Sequence, residues 1–125
     1  MYESETNTVQ RALLVAADCG EWDAEASIAE LARLAESAGA EVVGEIVQQR
    51  QEYDRATVIG RGKLAEVRLM AENLGANLLI FDQELTSANI RNLEKASEIA
   101  VIDRTMLILD IFASRAKTRA GKLQV

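Results

Sequence analysis

Gly60, Arg61, Gly62 and Lys63, within "VIGRGKL" at 58–64, set two glycines and two cations between a β-branched run and a helical pattern. Glycines let backbone N–H groups approach an anion, and a helix start adds the positive end of its dipole, so such a stretch is where a phosphate can be cradled. The spacing does not fit the familiar cradles. A Walker loop needs Gly, then four residues, then Gly-Lys-Ser/Thr, whose hydroxyl reaches Mg²⁺. Here Lys63 is followed by Leu64, and Gly60 and Gly62 are too close together to bracket such a loop. A dinucleotide fingerprint needs a third glycine, and none follows. Local pattern alone reads as a strand-to-helix turn in which glycine supplies backbone freedom.

Carboxylates are the second chemical set. Asp18 with Cys19 and Gly20, Asp82 with Glu84, and Asp103 each follow an apolar run that reads as a strand. At the carboxyl ends of parallel strands, where open sheets bind ligands, they could hold Mg²⁺ or accept a phosphoryl group. A receiver-type site would also need an adjacent acidic pair after the first strand and a Lys-Pro after a late one. Both are missing, so capping and turn formation is the expected role. Cys19 near a helix start could ionise more readily than usual, yet the chain has no histidine to act as its base. A small, half-buried thiol is expected instead. One cysteine and no histidine also exclude an internal disulfide, His-containing triads and the usual zinc ligand sets. Trp22, the only tryptophan in a chain that is 4% aromatic, is expected to pack over the sheet edge rather than stack on a base.

The formal net charge of −6 opposes a nucleic-acid partner only as an average. Residues 1–54 hold 12 acidic and 3 basic residues, a net of −9, whereas residues 55–125 hold 8 acidic and 11 basic, a net of +3. No acidic residue follows Asp110, while Arg115, Lys117, Arg119 and Lys122 crowd the end. At helical spacing Arg115 and Arg119 share a face and Lys122 follows a turn later. Two readings stay open: cations favoured at a helix C-terminus, or a patch facing a polyanion, with Arg61 and Lys63 as candidate neighbours.

The elements that must position these groups alternate in type. "RALLVAA" is a near-continuous apolar run, the mark of a strand covered on both faces. Asp23 can cap a helix with the stripe Ala24, Ile28, Leu31, Ala35 and Ala38, stopped by Gly39. "AEVVGEIVQ" is a second strand, "QRQEYDRA" a polar connection, and "TVIG" a brief strand. The next helix turns Leu64, Val67, Ala71 and Leu74 inward and ends at Gly75. "NLLIFD" is the strongest strand signal, followed by a helix capped by Thr86 or Ser87 with Ile90, Leu93 and Ser97 on one face. "AVID" is the last strand. Thr105 is the expected cap of a final helix, "MLILDIFASRAK", which is apolar nearly all round before it turns basic and so must be covered on more than one side. The pattern "AESAGAEVV" at 35–43 returns as "AENLGANLL" at 71–79 and reads as one good helix-to-strand loop used twice. The expectation is an α/β fold: a mostly parallel sheet of about four to five strands covered by helices. Residues 1–10 are expected to be a disordered terminus, 11–113 the domain, and 114–125 the start of a helical extension. At 49% hydrophobic residues without a long apolar run, no membrane span or signal peptide is expected, and a cytoplasmic location follows.

From residue 58 onward, "VIGRGKLAEV", "NLLIFDQELTSANIRNLEKA" and "VIDRTMLILDIFASRAKTRAGKLQV" resemble the amino-terminal domain of the HflX family of ribosome-associated GTPases, with the run from Val101 to Val125 the most specific. The pattern departs at Ala120, where an acidic residue is expected, and in "TSANIRN", where a Pro and a Gln are. The resemblance implies that the chain continues into long helices and a GTP-binding domain, and that GTP and magnesium bind there rather than here. It implies that this part is not itself an enzyme and hydrolyses no GTP. The implied partners are the large ribosomal subunit and its rRNA and the protein's own helical and GTP-binding domains; separately, the apolar final helix, left partly uncovered, is expected to invite self-association of the chain. Arg115, Lys117, Arg119, Lys122, Arg61 and Lys63 are the candidate RNA contacts. A small nucleotide- or phosphate-binding α/β domain and a purely structural domain that positions its neighbour remain the alternatives.

Overall fold

"RALLVAAD" becomes the central strand because both of its faces are apolar. In the computed structural model, which describes residues 9–111, β1 (Arg11–Asp18) pairs in parallel with β2 (Glu41–Gln49) on one side and β3 (Leu78–Phe81) on the other. β3 pairs in parallel with β4 (Ala100–Asp103), giving one four-stranded sheet in the order β2-β1-β3-β4. The expected α/β fold with a parallel sheet is what forms.

Side-chain alternation sorts the core into two layers. Ala12, Leu14 and Ala16 of β1, with Leu78 and Ile80 of β3, face α1 (Ala24–Ser37) through Ile28, Leu31 and Ala35. Leu13, Val15 and Ala17, with Leu79 and Phe81, face α2 (Arg61–Leu74) and α3 (Ser87–Ser97) through Leu64, Val67, Ala71 and Leu93. Phe81 is wholly buried, and emptying such a site costs about 3–5 kcal/mol. A final helix, α4 (104–111), follows β4 directly and lays Leu107 and Ile111 on the α1 side.

Local signals explain the boundaries. Asp23 accepts the Ala26 N–H at 3.1 Å as the cap of α1. Thr86 caps α3 in a reciprocal capping box with Asn89. Gly39 (φ +91) and Gly75 (φ +71) adopt the left-handed conformation that ends helices cheaply in glycine. The repeated pattern is indeed one loop used twice. Ala40 N–H donates to Ala35 O at 3.0 Å, and Ala76 N–H to Ala71 O at 2.8 Å.

Four expectations need correction. "TVIG" is not a strand: Val58 is left-handed (φ 69) and makes only an isolated antiparallel bridge to Asp54, because the Asp54 side chain folds this stretch into a turn. Leu74 is 39% exposed, since it lies beside the edge strand, where its Cδ1 sits over Gly44. Ala38 is exposed, because it is the C-cap of α1 rather than part of its stripe. Asp103, not Thr105, caps α4: its Oδ1 accepts the Met106 N–H at 2.9 Å, and the helix therefore starts earlier than its apolar pattern does. Among the described residues no helix is long and apolar enough to cross a membrane.

Candidate nucleic-acid interface

Among the described residues all four helices start at the carboxyl ends of the strands, where an open parallel sheet offers its ligand crevice between strands whose connections diverge. Here that crevice lies between β1 and β3, and Gln83 fills it. Its Nε2 donates to Ala17 O at 2.6 Å, and its Oε1 accepts the Ala17 N–H at 3.2 Å. The amide side chain thus completes the hydrogen bonding of β1 beyond the end of β3.

The nearby carboxylates are committed as well. Asp82 is taken by Arg104 and Ser27. Asp103 holds the Leu85 N–H at 2.7 Å with the oxygen that does not cap α4. Asp18 accepts the Gly20 N–H at 2.9 Å, and Glu84 is exposed. Among the described residues no group of three or more Asp, Glu or Cys side chains is arranged to hold a metal ion. Burial pushes the Cys19 thiol up, and Glu21 and Asp18 push it further in the same direction, so the helix start does not make it a thiolate. Trp22 is half-buried, and its indole Nε1 has no hydrogen-bond partner among the described residues.

The free chemistry sits at the start of α2. Gly60 is the N-cap and offers no side chain. The first helical hydrogen bond, Leu64 N–H to Gly60 O at 2.9 Å, leaves the amides of Arg61, Gly62 and Lys63 at the unpaired end of the helix. α1 has Asp23 as its cap and Glu25 in its first turn, whereas the first turn of α2 has no acidic residue. A side chain on Gly62 would meet nothing within 4 Å, so the approach is open. Arg61 is exposed and makes no ion pair among the described residues. Lys63 pairs with Glu66 at 2.8 Å and is partly covered.

The preceding loop brings two further cations that sequence reasoning missed. The Arg50 guanidinium lies against Gly60, where any side chain would collide with it, and its Nε donates to Glu52 O at 3.1 Å. Arg55 lines a hollow of 470 Å³ with Trp22, Tyr53 and Asn89. No periodic signal marks either arginine; only the folded loop reveals them.

That loop is held tightly. Asp54 Oδ1 accepts the N–H groups of Ala56 at 2.8 Å and Thr57 at 3.2 Å. Those backbone hydrogen bonds hold its carboxyl below the usual aspartate value. Asn89 Nδ2 donates to Arg55 O at 2.7 Å and Ala56 O at 3.0 Å. Gly60 N–H donates to Gln48 Oε1 at 2.9 Å. A buried β-branched residue in the left-handed region costs roughly 1–2 kcal/mol, so Val58 stays there because these bonds over-determine the loop.

Charge divides the face. Beside β2, a groove of 1110 Å³ is lined by Asp18, Asp23, Glu25 and Glu45 together with Lys63. Arg61 and Lys63 share the first turn of α2 but not a face, Lys63 lining this groove, while Arg115, Lys117, Arg119 and Lys122 lie outside the described residues.

A family model described as GTP-binding GTPase N-terminal matches residues 25–113. The chain belongs to that family, the amino-terminal part of HflX GTPases. It is 46% identical over 127 residues to the GTPase HflX of Alkalihalophilus pseudofirmus, covering 100% of this chain and 30% of the relative. Against the GTPase HflX of Escherichia coli K12 it is 45% identical over 96 residues, 77% of this chain and 22% of the relative. Among solved structures it is similar to a mutation variant of SsGBP, at TM-score 0.62 and 25% identity, covering 83% of this chain and 32% of the other. A GTP-binding protein from Sulfolobus solfataricus in complex with GDP shares the fold, at TM-score 0.58 and 24% identity over 84% of this chain and 30% of the other. The chain thus spans under a third of the length of these HflX relatives.

Proposed function

We propose that this chain is the ribosome- and rRNA-facing amino-terminal domain of an HflX-type GTPase that acts on the large ribosomal subunit. The observation that carries the reading is the open, uncapped start of α2, where Arg61 is exposed and Lys63, partly covered and paired with Glu66, stands in the same turn, with the Arg50 guanidinium against Gly60. Such an end takes phosphate oxygens without reading bases, which suits an RNA recognised by shape and backbone. In sequence, Arg115, Lys117, Arg119 and Lys122 extend the same cationic set.

GTP hydrolysis belongs to the whole protein, with GTP and magnesium bound by a domain outside this chain. The chain has no Walker motif, and Gln83 occupies the crevice where a nucleotide would enter an open sheet. That disfavours the small nucleotide-binding alternative. The whole protein is expected in the cytoplasm with its ribosomal partner.

The test is a salt series of binding by the whole protein to purified large and small subunits. A preference for the large subunit, with log affinity falling linearly against log salt, supports the reading. Absence of subunit binding at low salt overturns it.

A further inference from the structure

We infer that Arg104 is a clasp that fixes the angle at which α4 leaves the sheet, making it a positioning residue for whatever that helix carries. It is the first residue of α4 and follows β4 directly, yet its side chain reaches two other elements. Nε and Nη2 donate to Asp82 Oδ1 at 3.0 and 2.6 Å, at the end of β3. Nη1 donates to Glu30 Oε1 at 2.7 Å, and Nη2 also donates to Ser27 O at 2.8 Å and Ser27 Oγ at 3.0 Å, both in α1. The planar guanidinium therefore links α4 to β3 and α1 at once. A fork with fixed directions constrains orientation as well as distance.

The other attachments of α4 do not constrain its orientation in this way. Leu107 is buried and Ile111 partly buried, a single apolar row, while Met106 and Leu109 on the far side are 38% and 62% exposed. A helix resting on one row can rock about that line. Asp103 caps its first turn and otherwise holds the Leu85 N–H, so it makes no bond to α1. Among the described residues, Arg104 alone ties the helix to α1 by hydrogen bonds.

The anchor is built for permanence. The Asp82 side chain is 1% exposed, and its second oxygen accepts from Ser27 Oγ, so neither oxygen is left unpaired. Burial works against the Arg104 charge, but the hydrogen bonds with Asp82 and Glu30 outweigh it and raise its pKa. The clasp therefore stays ionised at any physiological pH. The inference is independent of what the segment after α4 binds.

Hydrogen exchange, read by mass spectrometry on the whole protein, distinguishes a clasp from an ordinary stabilising ion pair. Arg104→Lys keeps the charge beside Asp82 but loses the fork. The α4 amides from Leu107 to Ile111 are expected to exchange at least about tenfold faster, the equivalent of one lost charged hydrogen bond, while β1 and β3 amides stay within about twofold. Unchanged α4 exchange, or α4 and β1 accelerating together, overturns the inference. If Arg104→Lys does not fold, Glu30→Ala removes one α1 anchor and leaves the buried pair. It should then accelerate α4 alone, by about threefold, and no selective acceleration in that variant likewise overturns the inference.

Discussion

Gln83 and Ala17 close the top of the sheet: the side-chain amide of one pairs with both backbone groups of the other, donating at 2.6 Å and accepting at 3.2 Å. Ala17 is wholly buried on the central strand, so its N–H and C=O cannot turn to water without Gln83. Replacing Gln83 by Ala should cost about 1–3 kcal/mol, the penalty for orphaned buried groups. Urea unfolding of the wild type and Gln83→Ala checks this; equal midpoints would show that water takes over both bonds.

Asn89 does two jobs that belong to different segments. Its Oδ1 accepts the Thr86 N–H at 3.1 Å in the capping box of α3, and its Nδ2 pins Arg55 O and Ala56 O. Asn89→Ala keeps the backbone N–H bond to Thr86 Oγ1 but loses the side-chain half of the box and the pin together, for an expected cost of about 1–3 kcal/mol. Proteolysis within residues 50–60 should accelerate in parallel. A loss of stability with no change in loop cleavage would mean that the pin is dispensable.

Glu98 ends α3 in the left-handed conformation, φ 65, where glycine carries no steric penalty. Its exposed pair with Arg68 is worth little in solvent. Glu98→Gly is therefore expected to stabilise the fold by about 0.5–1 kcal/mol, the steric relief less the lost pair and the added chain freedom. A lower melting temperature in this variant would show that the pair outweighs the relief.

Strand and helix existence is legible in the sequence wherever one element's own periodicity decides it. The apolar runs of β1 and β3 announce burial on both faces, and Asp23, Thr86, Gly39 and Gly75 announce helix ends by their own chemistry. Contacts between distant elements leave no such trace. Arg104 meets Ser27 across 77 positions, and Gln83 meets Ala17 across 66. "TVIG" has strand composition, but the Asx turn of Asp54 competes for its backbone and wins. Arg61 and Lys63 are readable as a cationic pair beside glycines. Arg50 joins them only because the loop folds back onto Gly60, and the same fold sets Arg55 beside Asn89 at the start of α3.

Asp54 gives a pH signature. Its carboxyl is held below the ordinary value of 3.8 by hydrogen bonds from the Ala56 and Thr57 amides. The folded state then binds fewer protons than the unfolded state in that range, so stability rises with pH there. The contribution is complete above 3.8 and is lost as pH falls through the lowered folded value. Asn at this position keeps the acceptor oxygen without the charge, so the stability difference between wild type and Asp54→Asn should shrink as pH drops below 3.8. A difference that stays constant with pH would show that Asp54 is not the titrating group.

The most direct measurement is the salt dependence of large-subunit binding by the whole protein carrying Arg61→Glu and Lys63→Glu. The control is Arg33→Glu with Lys95→Glu, an equal change of charge that includes the last turn of α3. Both pairs should fold: Arg61, Arg33 and Lys95 are exposed, where a change of charge shifts stability by about 0.5 kcal/mol or less, and the Lys63–Glu66 pair is worth about 1 kcal/mol at most. If phosphates sit at the α2 start, the first pair weakens binding at least about tenfold at about 0.1 M salt and lowers the log–log slope by about two units, one for each lost contact. The control should leave the slope unchanged. Equal slopes and affinities for wild type and Arg61→Glu/Lys63→Glu would contradict the account.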